Sequence, residues 1–187
     1  MLPVAHAAIG YLLYSGLTRI WDGEPPQDLP TLWLLFGTQF PDLVDKPLAW
    51  TFGILPSGRS LAHSLVVLIP LTIALYVYFA RRGQPANGVA FGVGALSHTL
   101  LDALPALLAG EFGRARFLLW PILPHVQYAE DRSIIGFLLS IELSAALLTE
   151  AVFGLVIVAV WWWDGKPGLT PVVDLVRWIG AAAQRSA

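Results

Sequence analysis

Long uncharged runs dominate this chain, and their spacing predicts helices. Leu61–Ala80 (LAHSLVVLIPLTIALYVYFA) contains no Asp, Glu, Lys or Arg. Its length is close to the ~20 apolar residues that cross ~30 Å of hydrocarbon at ~1.5 Å per residue. Asn87–Ala109 is a second run, whose ionisable residues are His98 and Asp102 alone. Ile134–Trp163 is a third, interrupted by Glu142 and Glu150, and Val4–Ile20 and Thr31–Phe40 are shorter and weaker. Between the first two helices lies WDGEPPQDLP, whose prolines and acidic residues break any helix. Pro41 is expected to stop the second helix, RRGQP to close the third, and Pro105 or Gly110 to end the fourth. Val172–Ala183, with Asp174 and Arg177, reads as an amphipathic tail at a surface. The pattern predicts an all-α fold: a polytopic membrane helical bundle of about five apolar helices with an amphipathic C-terminal helix. With no repeat or low-complexity segment, residues 1–187 form one domain.

Composition sharpens this picture. Of 187 residues, 56% are hydrophobic and 13% charged, and the mean hydropathy is +0.66. Soluble domains are about a quarter charged, so the long runs point to lipid as the solvent and to a multi-pass protein of the cell membrane. Trp161, Trp162 and Trp163 end one run, as interfacial aromatics do. The first residues lack a basic segment and carry His6 within apolar sequence, so the N-terminus is expected to be retained. The absence of cysteine excludes disulfides and thiolate ligands. The net charge is −2 and no basic stripe appears, so no nucleic-acid partner is expected.

Threading gives the polar residues a meaning. If the five helices alternate in direction, the start of the first, end of the second, start of the third and end of the fourth share one face. His6, then Asp42 and Asp45, then His63, then His98 and Asp102 fall at those places, and His125 follows in the next loop. All four histidines therefore lie on one side of the membrane. His98 and Asp102, four residues apart, share a helix face and reach a single cation; imidazole and carboxylate suit zinc, manganese or iron. An unpartnered aspartate in hydrocarbon costs at least ~2.5–3.5 kcal/mol, which a divalent cation removes. Each residue also has a structural reading alone: His98/Asp102 as a packing pair, His63 as an interfacial cap, His6 and His125 as solvated groups, Asp42 as a turn residue, Glu142 as an arginine partner. These readings leave the shared face unexplained. With the helix ends above, His98 lies roughly 16 Å deeper than His63 at ~1.5 Å per residue. The two meet if the fourth helix effectively ends at Pro105 and the third begins near Pro56.

FPDLVD, RSLAHS and SHTLLDAL, followed by LLWPI, resemble the YdjM-like membrane-bound metal-dependent hydrolases. That family has an early His, a PD-L-x-D element, an R-x-x-x-HS element, an SH-x-x-LD element and a Trp-Pro turn. Here they are His6; Pro41, Asp42 and Asp45; Arg59, His63 and Ser64; Ser97, His98 and Asp102; Trp120 and Pro121, over roughly residues 1–125. The family is distantly similar to zinc-dependent phospholipases C and fungal single-strand nucleases, all-helical enzymes with a His-x-x-x-Asp pair at a zinc cluster. The resemblance implies that Asp42 (or Asp45), His63, His98 and Asp102 form one metal site and that His6 shares Asp102 at a neighbouring metal. His125 and Glu142 are candidate substitutes for a later His-x-x-x-Glu helix of the soluble relatives. One or two ions, zinc above manganese or iron, are expected. Asp45 is a ligand or a base, and Arg59 neutralises phosphate oxygens. The expected reaction is hydrolysis of a phosphate ester by metal-activated water, and a site at the bilayer edge suits a lipid or lipid-linked substrate. The alternatives are an intramembrane metal-ion or proton transporter, which needs polar groups continuing across the membrane, and a structural membrane protein.

Overall fold

The computed structural model describes residues 3–124 and 145–185, which are all-helical and contain no strand. The described residues form six α-helices: α1 (Pro3–Trp21), α2 (Asp28–Lys46), α3 (Leu65–Ala80), α4 (Pro85–Leu108), α5 (Ala145–Trp163) and α6 (Leu169–Arg185). A π-helical turn, Pro47–Thr51, prolongs α2, and a 3-10 helix, Phe112–Leu119, follows α4. Among the described residues α4 alone is long and apolar enough to cross a membrane; α3 and the stretch Ala151–Trp163 are shorter apolar helices. The expected set of about five spans is thus represented by one clear span.

Helix α4 is the centre of the bundle and packs against α1, α2 and α3. Its buried Ala90, Phe91 and Ala95 face Leu34 of α2, Leu68 of α3 and Tyr11 and Tyr14 of α1, and Ala103 packs on Ala115 and Phe117 of the 3-10 helix. Phe36, Phe40 and Phe91 interlock at centroid separations of 5.3–6.0 Å, within the range of favourable aromatic pairs. Small residues set the spacing of α2 and α4. A Cβ on Gly37 would lie 2.5 Å from the Phe91 carbonyl oxygen and 3.2 Å from the Ala95 nitrogen, both backbone atoms. Gly37→Ala is therefore expected to push the two helices apart. The better helix propensity of alanine offsets ~1 kcal/mol, while overpacking costs ~1–3 kcal/mol. Thermal unfolding in detergent checks the sign: a variant more stable than the parent would show that the close approach is not needed.

Two helix ends differ from those expected, and a third falls at the later of its two expected stops. Helix α2 passes through Pro41 to Lys46, since a proline removes only one N–H from a helix whose following turn is anchored by Asp42 and Asp45. Helix α3 begins at Leu65 instead of Leu61 or Pro56, with Ser64 as N-cap accepting a hydrogen bond from Val66 N at 3.2 Å. Residues 60–63 cannot join it because the Asp45 carboxylate binds the backbone N–H groups of Ser60, Ala62 and His63. Helix α4 runs through Pro105 to Leu108. A late start to α3 and a long α4 leave a recess, and His63 descends into it to the level of His98.

At the opposite end of α1, Asp164 fixes the end of α5. It accepts hydrogen bonds from Tyr11 (2.6 Å) and Ser15 (2.7 Å) and pairs with Arg19. Burial opposes its ionisation, and these three partners outweigh burial, holding its pKa below the ordinary carboxylate value. Its stabilising contribution is complete above pH ~4, the unfolded value, and is lost as pH falls through the depressed folded value. Asp164→Asn is expected to cost ~1–3 kcal/mol at neutral pH, with the gap to the parent closing in acid. A gap that is the same at pH 7 and pH 3 would remove this role. Beyond Asp164, positive φ angles at Gly165, Lys166 and Gly168 turn the chain into α6, and Gly168 N donates to Asp28 Oδ1 at 2.6 Å.

Candidate metal centre

The start of α1, the end of α2, the segment before α3 and the end of α4 meet at one end of the bundle. They bring together His6, Asp42, Asp45, Arg59, His63, His98 and Asp102. His6, Asp45, His63 and His98 are buried, so His6 is not the solvated group it would be on its own. His63 and His98 meet, with Nε2 atoms 3.2 Å apart, although α3 begins after Pro56 and α4 runs past Pro105.

Hydrogen bonding fixes which ring nitrogens carry hydrogen. His98 Nδ1 lies 2.7 Å from the Thr38 carbonyl oxygen; a carbonyl only accepts, so Nδ1–H donates and Nε2 presents its lone pair. His63 Nδ1 lies 2.8 Å from Asp45 Oδ2, and the carboxylate likewise accepts. In their neutral forms the two imidazoles therefore turn lone pairs on each other. Both also face Asp42 Oδ1, at 3.5 Å from His63 Nε2 and 3.7 Å from His98 Nε2. That oxygen is buried and has no hydrogen-bond partner among the described residues. Asp102 Oδ2 is 3.6 Å from His63 Nε2. Three electron-rich atoms, His63 Nε2, His98 Nε2 and Asp42 Oδ1, face one another with Asp102 Oδ2 beside His63, an arrangement that calls for positive charge. Without a metal, a proton on His63 supplies it: burial lowers the His63 pKa, and the neighbouring carboxylates of Asp42 and Asp45 outweigh this and raise it.

The separations match a small cation. Donor atoms ~2.0 Å from a tetrahedral ion lie ~3.3 Å from one another, against the 3.2–3.7 Å observed. Asp42, His63 and His98 form one group able to hold an ion, and His6, His98 and Asp102 form a second.

The remaining residues hold these in place. Asp45, fully buried, accepts from Ser60 N and Ala62 N at 2.8 Å and His63 N at 3.2 Å in addition to His63 Nδ1. Four donors saturate it. Asp102 Oδ1 is 3.1 Å from His6 Nε2, and Oδ2 accepts from Arg59 Nε at 2.7 Å. The His6 ring stacks on His98 with centroids 4.1 Å apart. Lys46 Nζ binds Asp42 Oδ2 at 2.6 Å, which leaves Oδ1 aimed at the two imidazoles. Sequence reasoning missed Lys46, although it lies four residues beyond Asp42 on the same helix face, and it missed Thr38, which acts through its backbone carbonyl. His125 and Glu142 lie outside the described residues.

Among curated proteins and solved structures, none matches the chain. The model of the YdjM inner membrane protein family matches residues 1–181, extending the resemblance well past residue 125. The chain thus belongs to the YdjM inner membrane protein family and is a protein of the cell's inner membrane.

Proposed function

We propose that this chain is a membrane-bound metal-dependent hydrolase that cleaves a phosphate ester of a lipid or lipid-linked substrate. One observation carries the reading: the lone pairs of His63 and His98 and the partnerless Asp42 Oδ1 point at one another from 3.2–3.7 Å. On this reading Asp42, His63, His98 and Asp102 hold a divalent ion, and His6, through Asp102, borders a second. Imidazole and carboxylate favour zinc, with manganese or iron as alternatives. When bound, such an ion lowers the pKa of water toward ~7 and so supplies a nucleophile near neutral pH.

The chain's own residues do the rest. Asp45 orients His63 and keeps its proton on Nδ1, as carboxylate partners of ligating histidines do. Saturated by four donors, Asp45 suits this positioning role and not that of a base. Arg59 holds Asp102 and places a cation beside the site, where an anionic phosphate group is neutralised. A polytopic bundle, with the shorter apolar helices also in the bilayer, sets this site near a membrane face and within reach of lipid headgroups.

The test is release of phosphate esters by purified protein in detergent, using short-chain phosphodiester and phosphomonoester lipids with and without chelator. Hydrolysis that stops with chelator and returns with added zinc is the expected result. Chelator-insensitive ion flux in liposomes, with no hydrolysis, would instead favour a transporter. Absence of both activities from metal-replete protein would leave a structural role.

A further inference from the structure

Helix α6 leaves the bundle almost at once. Of the described helices it packs against α2 alone, and after Val173 every residue through Gln184 except Ala182 is exposed. The exposed residues are sorted by helical spacing. Leu169, Val172, Leu175, Val176 and Ile179 recur at steps of three and four and line one face. Thr170, Asp174, Arg177 and Arg185 line the other, with Arg177 paired to Asp174 at 3.6 Å. Trp178 falls on the boundary between the two faces. The place of departure is also defined. Arg19 pairs with Asp164 at the end of α5, and His6 lies about 20 Å away along α1 at ~1.5 Å per residue. The turn into α6 is therefore at the opposite end of the bundle from the metal centre. There Trp162 and Trp163 are exposed, and Lys166 Nζ sits 4.4 Å from the centroid of the Trp162 ring. Exposed tryptophans beside a snorkelling cation mark the level of the headgroups. Up to that level α5 exposes Leu155 and Val158, an apolar surface suited to the bilayer in which this family resides. The turn itself is fixed: Trp161 Nε1 donates to Pro167 O at 3.0 Å and Gly168 N to Asp28 Oδ1 at 2.6 Å.

We infer that α6 lies flat in the lipid interface of the leaflet opposite the metal centre, with its apolar stripe among the acyl chains and Trp178 at their boundary with the headgroups. The occupant of the stripe is lipid, because the stripe begins where the apolar surface of α5 ends and at the level its tryptophans mark. A helix with one apolar face and one charged face is stable in that plane, where each face meets its own solvent. The inference is independent of the hydrolase reading. It gives the protein a fixed depth in the membrane, with the metal centre and α6 on opposite sides.

The chain contains no cysteine, so single cysteines report without background. Val176→Cys, Ile179→Cys, Asp174→Cys and Gln184→Cys are spin-labelled in the full chain and reconstituted in vesicles of phosphatidylethanolamine and phosphatidylglycerol. Collision with oxygen, which concentrates in hydrocarbon, is compared with collision with a water-soluble nickel complex. Positions 176 and 179 are expected to meet oxygen and to meet nickel about tenfold less than 174 and 184, since the apolar face of such a helix sits ~5–10 Å into the headgroup boundary. Equal nickel access at all four positions would put α6 in water and overturn the inference. Exclusion of both reagents from 176 and 179 would overturn it too, by placing protein on the stripe; spectral broadening that disappears on dilution with unlabelled chain would identify that protein as a second copy. Sidedness is read with a membrane-impermeant maleimide on right-side-out and inverted membrane vesicles. Asp174→Cys and Glu111→Cys, the latter at the metal-centre end just beyond α4, are expected to react from opposite sides. Reaction of both from one side, or of Asp174→Cys from neither, would overturn the placement of α6 opposite the metal centre.

Discussion

His98→Ala is expected to lose the proposed metal while remaining folded. Purified parent protein, assayed by elemental analysis, should carry at least one divalent ion per chain; the variant should carry less than a tenth of that. His98 Nε2 is the donor common to both candidate groups, Asp42–His63–His98 and His6–His98–Asp102, so this change removes a ligand from each. Loss of a mere hydrogen-bond partner of a ligand costs ~10–100-fold in affinity, and loss of a ligand should exceed it. The proposed hydrolysis should fall by at least the same factor. The side chain also fills a buried site, stacks on His6 and bonds to the Thr38 carbonyl, so some stability is lost as well. A second comparison keeps the two effects apart. In chelator-treated samples the parent retains two imidazole lone pairs facing each other at 3.2 Å, which the variant lacks. The stability gap between parent and variant should therefore be smaller without metal than with it. A variant that still holds stoichiometric metal would end the assignment of His98 as a ligand.

How far the sequence foretold this site depends on which interactions build it. His98 and Asp102 announce themselves by their four-residue spacing in an otherwise uncharged run, and threading alone places His6, Asp42 and His63 on the same face. These inferences use periodicity and chain direction, both properties of local sequence. The depth of His63 was not legible in the same way. It depends on Asp45 capturing three backbone N–H groups from residues 60–63, a long-range interaction between uncapped backbone and a side chain on another helix. Pattern reading made Leu61–His63 helical because they open an uncharged run. Pro41 misled for a related reason: the usual cost of an interior proline is local, while the anchor that carries α2 onward, Asp45 to the 60–63 segment, is decided by packing. Thr38 could not be found at all, since its contribution is a carbonyl that every residue possesses. The Asp164 cluster at the other end of α1 escaped notice because it forms only when the end of α5 packs on Tyr11, Ser15 and Arg19, far away in the chain.

Asp45→Asn should be the most damaging conservative change in the protein. The carboxylate is fully buried and accepts from Ser60 N, Ala62 N, His63 N and His63 Nδ1. Asparagine keeps the shape but turns one acceptor oxygen into an NH₂ group that donates. Whichever way the amide is placed, a donor meets a donor. With the oxygen at the Oδ2 position, the amide nitrogen opposes Ala62 N; with the orientation reversed, it opposes Ser60 N, His63 N and the imidazole. Breaking a buried, fully bonded carboxylate costs ~3–5 kcal/mol, a large share of the ~5–15 kcal/mol by which native domains are stable. The expected result is a marked fall in thermal stability in detergent, together with proteolytic sensitivity confined to the Phe52–Ser64 segment that Asp45 ties down. Metal affinity should fall too, because His63 can then adopt the other tautomer and withdraw its Nε2 lone pair. Asp42→Asn provides the contrast. Its Oδ1 accepts no hydrogen bond among the described residues, so it should weaken metal retention at least as strongly while costing less stability than Asp45→Asn. Equal stability losses from the two changes would show that Asp45 is another ligand and not the scaffold on which His63 is held.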